Sequence, residues 1–199
     1  SESGNLRTMV KRVTDRKVDL YEAGMVEYFA IIKNISSETL NDVKVKTNKS
    51  ENLNVTRLTL ISGMSENEIS DDEIYEIAAG ENTELREGTN SSINEDTQSE
   101  TIEYSDEISI GSLAPGEVKV LSYNMTIDKM PDNEVDTIHF SVAASDGQKE
   151  YASNAWEDTV NSFDIDMTME ANTESKYVKS GDSIHYTIRV KNNSTSQTS

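Results

Sequence analysis

Short runs of alternating apolar and polar residues recur along the chain, separated by clusters of Asn, Ser, Asp and Gly. A period of two is typical of β-strands, because successive side chains of a strand point to opposite faces. In residues 26–32 apolar residues fall on both faces, so we expect a central strand that is partly covered on each face. The first face has Val26, Tyr28, Ala30 and Ile32, and the second has Phe29 and Ile31.

Four further runs alternate in the same way, while patterns of long helices are nearly absent. Together the five runs favour an all-β fold, an immunoglobulin-like antiparallel β-sandwich, because two facing sheets bury each other's apolar faces. The alternating residues are Val43 and Val45, then Leu58 and Leu60, then Leu121, Tyr123, Met125 and Ile127, then Ile138, Phe140 and Val142.

Residues 65–108 interrupt this rhythm. They hold fifteen Asp or Glu and only Arg86 as a base, so they carry −14 of the net charge of −19. We expect this acidic insertion to lie outside the sandwich, because its charge density opposes burial. One short helix is predicted near residues 71–79, and residues 81–101, which lack periodicity, are predicted to form a loop.

One segment of the chain occurs twice. Residues 26–36 recur as residues 184–194, with an apolar residue, Tyr, two apolar residues, Lys-Asn and Ser at matching positions. A repeated unit at domain-sized spacing indicates tandem modules. We therefore predict a complete module at residues 1–161, with the insertion at 65–108, followed at 162–199 by a linker and the first strands of a second, truncated module.

The repeat also carries a family resemblance. Residues 181–194 (GDSIHYTIRVKNNS) resemble the opening of a conserved repeat domain of unknown function, found in tandem in bacterial and archaeal cell-surface proteins. Residues 110–117 (IGSLAPGE) are similar to the family's Leu-x-Pro-Gly-Glu turn. In that turn Pro115 presets the first dihedral angle and Gly116 supplies a positive φ. The pair Asn154-Ala155 is a weaker match to the family's Asn-x-Ala-x-Val on a late strand.

The resemblance covers most of the chain outside residues 65–108. It implies immunoglobulin-like sandwiches strung end to end in a secreted or wall-attached protein, and therefore an extracellular or cell-surface location. It implies no catalytic residues, because the family has no shared active site.

Charge and composition narrow the choice of partners. The chain has 199 residues, with 18 Lys or Arg against 37 Asp or Glu, and such a surface repels nucleic acid and anionic membranes. No apolar run approaches the roughly 20 residues of a membrane span. The chain has no cysteine, which removes disulfides and thiolate chemistry. It also shows no signal-peptide pattern at Ser1, so such a segment is absent or was removed.

Candidate catalytic residues are few. His139 and His185 both fall on alternating strand patterns, and no nucleophile elbow, phosphate loop or His-Glu-x-x-His motif accompanies them. We therefore expect a protein that is not an enzyme and that needs no cofactor. A hydrolase that uses an unmarked carboxylate pair is the least favoured alternative.

Calcium is the one ion that the sequence suggests. Acidic residues in three places offer oxygen ligands, although none has the spacing of a dedicated calcium loop, and a solvated acidic loop is the simpler interpretation. The candidate ligands are Asp71, Asp72, Glu73, Asp132, Asp136, Asp164 and Asp166.

Two further features, a possible Lys–Asn pair and the tryptophan, have both a chemical and a structural interpretation. Lys11 or Lys17 with Asn154 could form the Lys–Asn isopeptide bond of some surface sandwiches, but an exposed lysine and a capping asparagine are the simpler view. Trp156 fits a core or module junction better than a sugar-stacking platform.

Our preferred hypothesis is a non-catalytic structural or adhesive repeat module of a secreted or cell-wall-attached protein. Its expected partners are neighbouring modules, a host or cell-wall ligand, or another copy that pairs with an unfinished strand edge. The alternative is a binding module whose acidic insertion recognises a basic partner or a divalent cation.

Overall fold

The computed structural model describes residues 4–65, 75, 97–129, 136–162, 165–172 and 185–192. The elements in this part of the chain are β-strands. None of the described residues form a helix that is long and apolar enough to cross a membrane. The strands are β1 (Leu6–Arg12), β2 (Leu20–Tyr21), β3 (Met25–Asn34), β4 (Leu40–Lys49), β5 (Leu53–Ser65), β6 (Gln98–Ile102), β7 (Glu107–Leu113), β8 (Glu117–Ile127), β9 (Asp136–Ser145), β10 (Glu150–Ala152), β11 (Trp156–Asn161), β12 (Ile165–Asn172) and β13 (His185–Asn192).

Eleven of these strands form the predicted immunoglobulin-like sandwich. One sheet, sheet A, has the order β1-β3-β8-β5-β6. The other, sheet B, has the order β2-β11-β9-β4-β7, and β10 pairs with β9 beside β11. All pairings are antiparallel except that of β2 with β11, which is parallel. The prediction of an all-β sandwich is confirmed.

The core between the sheets consists of the alternating residues that define the strands. Strand β3 lies inside sheet A and contributes its first predicted face to this core, while β9 supplies the facing surface from sheet B. Phe140 of β9 stacks on Tyr28, with 4.8 Å between ring centroids, and meets Tyr123 edge-on at 4.9 Å. Offset and edge-on aromatic pairs of this kind add to the free energy of apolar burial.

Sheet A is buried on its outer face as well. Phe29 and Ile31 of β3 belong to a second apolar cluster there, as the run 26–32 predicts. Tyr75 packs on this cluster, with its ring 5.5 Å from that of Phe29 and 5.4 Å from the Lys11 ammonium. Tyr75 is helical and is the one described residue between 65 and 97, so the rest of the predicted helix lies outside the described residues.

The predicted insertion at 65–108 is wrong at its C-terminal end. Strand β6 pairs with β5, and β7 pairs with β4, so residues 98–102 and 107–108 belong to the two sheets. Ile108 is buried in the main core. The pattern hides β6 because an edge strand is held by backbone hydrogen bonds, and its residues 98–101 are exposed on both faces.

Strands β12 and β13 form a separate two-stranded sheet. In its register Met167 lies opposite Val190 and Met169 opposite Ile188, while Asp166 lies opposite Lys191. Apolar pairs therefore alternate with polar ones along the ladder. Ile188 and Val190 are 60% and 59% exposed. Among the described strands, β13 pairs with β12 and with no strand of the sandwich.

Candidate functional site

The edge of sheet A at β1 is joined to the edge of sheet B at β10 and β11 by polar side chains. We name this the β1 seam. It comprises Asn5, Val10 and Arg12 on one side, and Asp146, Tyr151, Asn154 and Asp158 on the other.

The middle of the seam is one asparagine that pairs like a strand residue. Asn154 Oδ1 accepts the backbone N–H of Val10 at 2.9 Å, and its Nδ2 donates to the Val10 carbonyl at 3.0 Å. These two hydrogen bonds to Val10 reproduce the hydrogen-bonded pair of an antiparallel ladder. The outward backbone N–H and carbonyl of Val10 are therefore satisfied by a side chain from the connection between β10 and β11 of sheet B.

Asn154 can reach across because the strand is broken there. Strand β10 ends at Ala152 and β11 begins at Trp156, so Asn154 and Ala155 lie in a connection. The weak family match that puts this pair on a strand is therefore not followed by the structure. Both polar atoms of the Asn154 amide bind Val10, which leaves the isopeptide partner role of Asn154 without structural support.

A buried ion pair closes the seam at its other end. The Arg12 guanidinium donates to Asp158 Oδ1 at 2.7 Å, and the two side chains are 5% and 14% exposed. Asp158 Oδ2 also accepts the Tyr28 hydroxyl at 2.5 Å. Burial and then the hydrogen bond to Asp158 raise the pKa of Tyr28 far above its ordinary value. Removing one partner of such a group leaves a buried charge unpaired.

Arg12 also shapes the crossing from one sheet to the other. Its Nη2 donates to the carbonyls of Asp15 and Val18, at 3.0 and 2.8 Å, in the connection between β1 and β2. One side chain thus positions the end of β1 in sheet A and the approach to β2 in sheet B.

At the Asn5 end of the β1 seam, a smaller hydrogen-bond network surrounds Asp146. Asn5 donates to Asp146 Oδ2 at 2.9 Å through its amide, and the Asn5 backbone N–H donates to the Tyr151 hydroxyl at 3.1 Å. Burial alone would raise the pKa of Asp146, but hydrogen bonds from the backbone N–H groups of Lys149 and Gln148 and from Asn5 lower it overall.

An open groove of about 450 Å³ lies beside the ion pair, lined by Arg12, Arg16, Asn154, Ala155, Trp156, Glu157 and Asp158. Trp156 packs against the main core, and the Arg16 guanidinium lies 4.3 Å from its ring centroid. The tryptophan is therefore packed between the core and a cation, in agreement with its interpretation as a core or junction residue.

The opposite side of the sandwich has its own edge contacts, at β7. Lys119 of β8 donates to the carbonyls of Ile110 and Ser112 at 2.7 and 3.1 Å, and Asn34 of β3 donates to that of Leu113 at 2.9 Å. Sequence reasoning missed these contacts, and it missed Arg12 and Asp158, because no motif marks a polar residue that reaches between sheets.

The turn at Pro115 and Gly116 joins β7 to β8. Gly116 has φ +77°, and the Glu117 N–H donates to the Ala114 carbonyl at 3.0 Å. The Glu117 carboxylate accepts the Ala114 N–H at 2.7 Å. The positive φ explains the glycine, since a side chain there would be strained.

Ser50, between β4 and β5, contacts His139 of β9. Ser50 Oγ lies 3.0 Å from His139 Nδ1, and it also accepts the His139 backbone N–H at 2.7 Å. Within the described part of the chain no carboxylate is bonded to this ring. We interpret the pair as a tie between the β4–β5 turn and β9.

The candidate calcium ligands lie outside the described side chains. Only the backbones of Asp136 and Asp166 are placed, in β9 and β12, and the side chain of His185 is also not described. Among the described residues no group of three or more His, Asp or Glu is arranged to hold a metal. Calcium binding by Asp71, Asp72, Glu73, Asp132, Asp136, Asp164 or Asp166 therefore stays a prediction.

Neither family models nor curated proteins match the sequence. Solved structures with a similar fold include the N-terminal domain of the Streptococcus gordonii adhesin Sgo0707, with a TM-score of 0.46 and 13% identity over 77% of this chain and 32% of that chain. The C-terminal domain of the Streptococcus agalactiae antigen I/II polypeptide BspA gives 0.38 and 11%, over 92% and 60%.

A family 123 glycoside hydrolase from Clostridium perfringens gives a TM-score of 0.41 and 9% identity, over 79% of this chain and 27% of that chain. The chain thus spans less than two thirds of each of these structures. They include adhesin domains and a hydrolase, and the likeness does not separate the two functions.

Proposed function

We propose that this chain is a non-catalytic structural or adhesive module of a secreted or cell-wall-attached surface protein. The observation that carries the proposal is that side chains occupy backbone groups on two edge strands: Asn154 binds Val10 of β1, and Lys119 and Asn34 bind carbonyls of β7. An exposed edge is a template for pairing with another chain.

Edge covering matters most for a module that works among copies of itself. Modules joined by short linkers face each other at millimolar effective concentration. At such concentrations open edges would pair between neighbours, so side chains that occupy backbone groups on β1 and β7 reduce such pairing at these two of the four outer strands. The repeat of residues 26–36 at 184–194 is the sequence feature that supports such an array.

The polar side chains described above also support a structural role. Arg12, Asp158, Asn154, Ser50 and His139 all make bonds within the fold. Groups that hold strands together cannot easily move protons or displace a substrate bond, because both tasks need a free donor or acceptor.

Localisation provides the test of the proposal. Antibodies raised against the purified chain should label intact, unpermeabilised source cells, and brief protease treatment of those cells should release peptides of residues 4–162. A cytosolic protein that is used as the control should remain uncut. Recovery of the chain only from the cytosolic fraction would overturn the proposal.

A binding assay separates adhesion from a purely structural role. Beads coated with the chain would be tested for attachment to host matrix and to cell-wall fragments, with Trp156→Ala as the groove variant. Attachment that the variant loses supports an adhesive role for the groove. Absence of attachment supports the structural role.

A further inference from the structure

The N-terminal and C-terminal parts of the sandwich run side by side in the same direction. Strand β2 is parallel to β11, with Leu20 opposite Val160 and Tyr21 opposite Asn161, and the Glu22 N–H donates to the Asn161 carbonyl at 3.1 Å.

The β1 seam has the same polarity. Asn5, just before β1, contacts Tyr151, and within β1 Val10 contacts Asn154 and Arg12 contacts Asp158. Residue numbers rise together on both sides of the seam, and they continue to rise into the β2–β11 pair. The whole segment 5–22 is therefore tied in parallel to the segment 151–161.

Parallel terminal segments have a consequence for tension. Pulling residue 4 away from residue 162 moves segment 5–22 towards its N-terminal end and segment 151–161 towards its C-terminal end. Because the segments are parallel, they slide past each other in opposite directions along the strand axis. The ties between them are sheared together, whereas an antiparallel pair with adjacent pulled ends would open one bond at a time.

We propose that the β1 seam and the β2–β11 pair form a mechanical clamp that resists separation of the two ends of the sandwich. Asp158 is its central tie, because it holds both Arg12 and Tyr28 and therefore links β11 to β1 and β3. The inference rests on strand direction and side-chain contacts, and it does not depend on where the protein resides.

Constant-force unfolding of single molecules of the full chain tests the clamp. The chain has no cysteine, so Ser1→Cys and Ser199→Cys provide two unique attachment points. Full extension of residues 4–162, at roughly 3.5 Å per residue, releases about 55 nm of chain length. The β12–β13 pair is much shorter, so the length of the step shows which of the two has unfolded.

Asp158→Ala is the principal variant, and a substitution at Ile61 is the matched control. Ile61 is buried in the outer cluster of sheet A and makes no seam contact among the described residues. Whichever of Ile61→Val and Ile61→Ala loses the same equilibrium stability in urea as Asp158→Ala is chosen for comparison.

We expect Asp158→Ala to unfold at least about tenfold faster than the parent at the same force, and the control less than about threefold faster. When a contact is already broken in the transition state of forced unfolding, its removal destabilises the folded state alone. The whole loss of stability then appears as faster unfolding. Equal acceleration in both variants would overturn the clamp.

Asn154→Ala keeps the proposal testable if Asp158→Ala does not fold. Asn154 is exposed, so its truncation leaves the apolar core unchanged while removing both bonds to Val10. An unfolding rate under force that rises more than that of the stability-matched Ile61 variant supports the clamp, and an equal rate contradicts it.

Discussion

Asn34 and Leu113 join two sequence motifs that are 79 residues apart. The Asn34 amide donates to the Leu113 carbonyl at 2.9 Å, and the Gly116 N–H donates back to the Asn34 carbonyl at 2.9 Å. Asn34 Oδ1 also accepts the Ser36 N–H and hydroxyl, at 2.9 and 2.7 Å. The repeated Lys-Asn-x-Ser segment and the Leu-x-Pro-Gly-Glu turn are therefore one structural unit.

The first prediction concerns this unit. Asn34→Ala leaves the buried Leu113 carbonyl without its donor, and we expect a loss of about 2–4 kcal/mol in the free energy of unfolding. Urea denaturation measures the loss. Asn48→Ala, at an exposed position of β4, is the control and should change stability by less than about 0.5 kcal/mol. Similar losses in both variants would contradict the structural role of Asn34.

The second prediction concerns Tyr75, which joins the acidic segment to the outer face of sheet A. Tyr75→Ala removes its contacts with Phe29 and Lys11, so we expect faster cleavage within residues 66–96 by a low concentration of protease. Tyr104→Ala, which changes a half-buried tyrosine elsewhere, serves as the control. Unchanged cleavage in Tyr75→Ala would show that this contact does not hold the segment.

The third prediction is a loss of stability in alkali. Burial raises the pKa of both Tyr28 and Tyr123, so neither ionises in the folded state while an unfolded tyrosine ionises near pH 10. A raised folded pKa gives stability that is complete below about pH 10 and declines above it. Tyrosinate absorbance from these two residues should therefore appear only together with unfolding.

Tyr28→Phe provides the control for that titration. It removes one of the two late tyrosines and the bond to Asp158, so its stability should depend less steeply on pH above about 10. Ionisation of both tyrosines without loss of the circular dichroism signal would contradict their burial.

The fourth prediction concerns acid. The N–H donors around Asp146 lower its pKa, so its contribution is present above about pH 4 and disappears as the pH falls through the lowered value. The difference in urea midpoint between the parent and Asp146→Asn should therefore shrink on acidification. Asn48→Ala, at an exposed position without a titratable side chain, should show no such trend. A difference independent of pH would exclude this role.

The fifth prediction keeps the calcium hypothesis testable. If the acidic insertion binds calcium in the native state alone, millimolar calcium should raise the melting temperature, and chelator should reverse the rise. A variant with Asp71, Asp72 and Glu73 all changed to Asn or Gln should lose the response. A melting temperature that is the same with calcium and with chelator would reject a structural calcium role.

The sequence alone determined the class of fold and five of the sandwich strands, β3, β4, β5, β8 and β9. Alternation at period two placed Tyr28, Tyr123 and Phe140 in one core, and it placed Phe29 on the opposite face of β3. These assignments are local, because the direction of a side chain in a strand depends only on its position along that strand. The glycine of the β7–β8 turn was equally visible, since its φ is a property of a few consecutive residues.

Only the tertiary structure decided which polar residues matter. No sequence pattern marks Arg12 or Asp158, and Asn154 was singled out only for other roles. The three meet their partners because β1 ends beside the break between β10 and β11. Strand β6 was hidden for a related reason, since an edge strand needs a partner backbone and not an apolar face. Contacts between residues about 145 positions apart depend on how the sheets are stacked, and no local pattern records that arrangement.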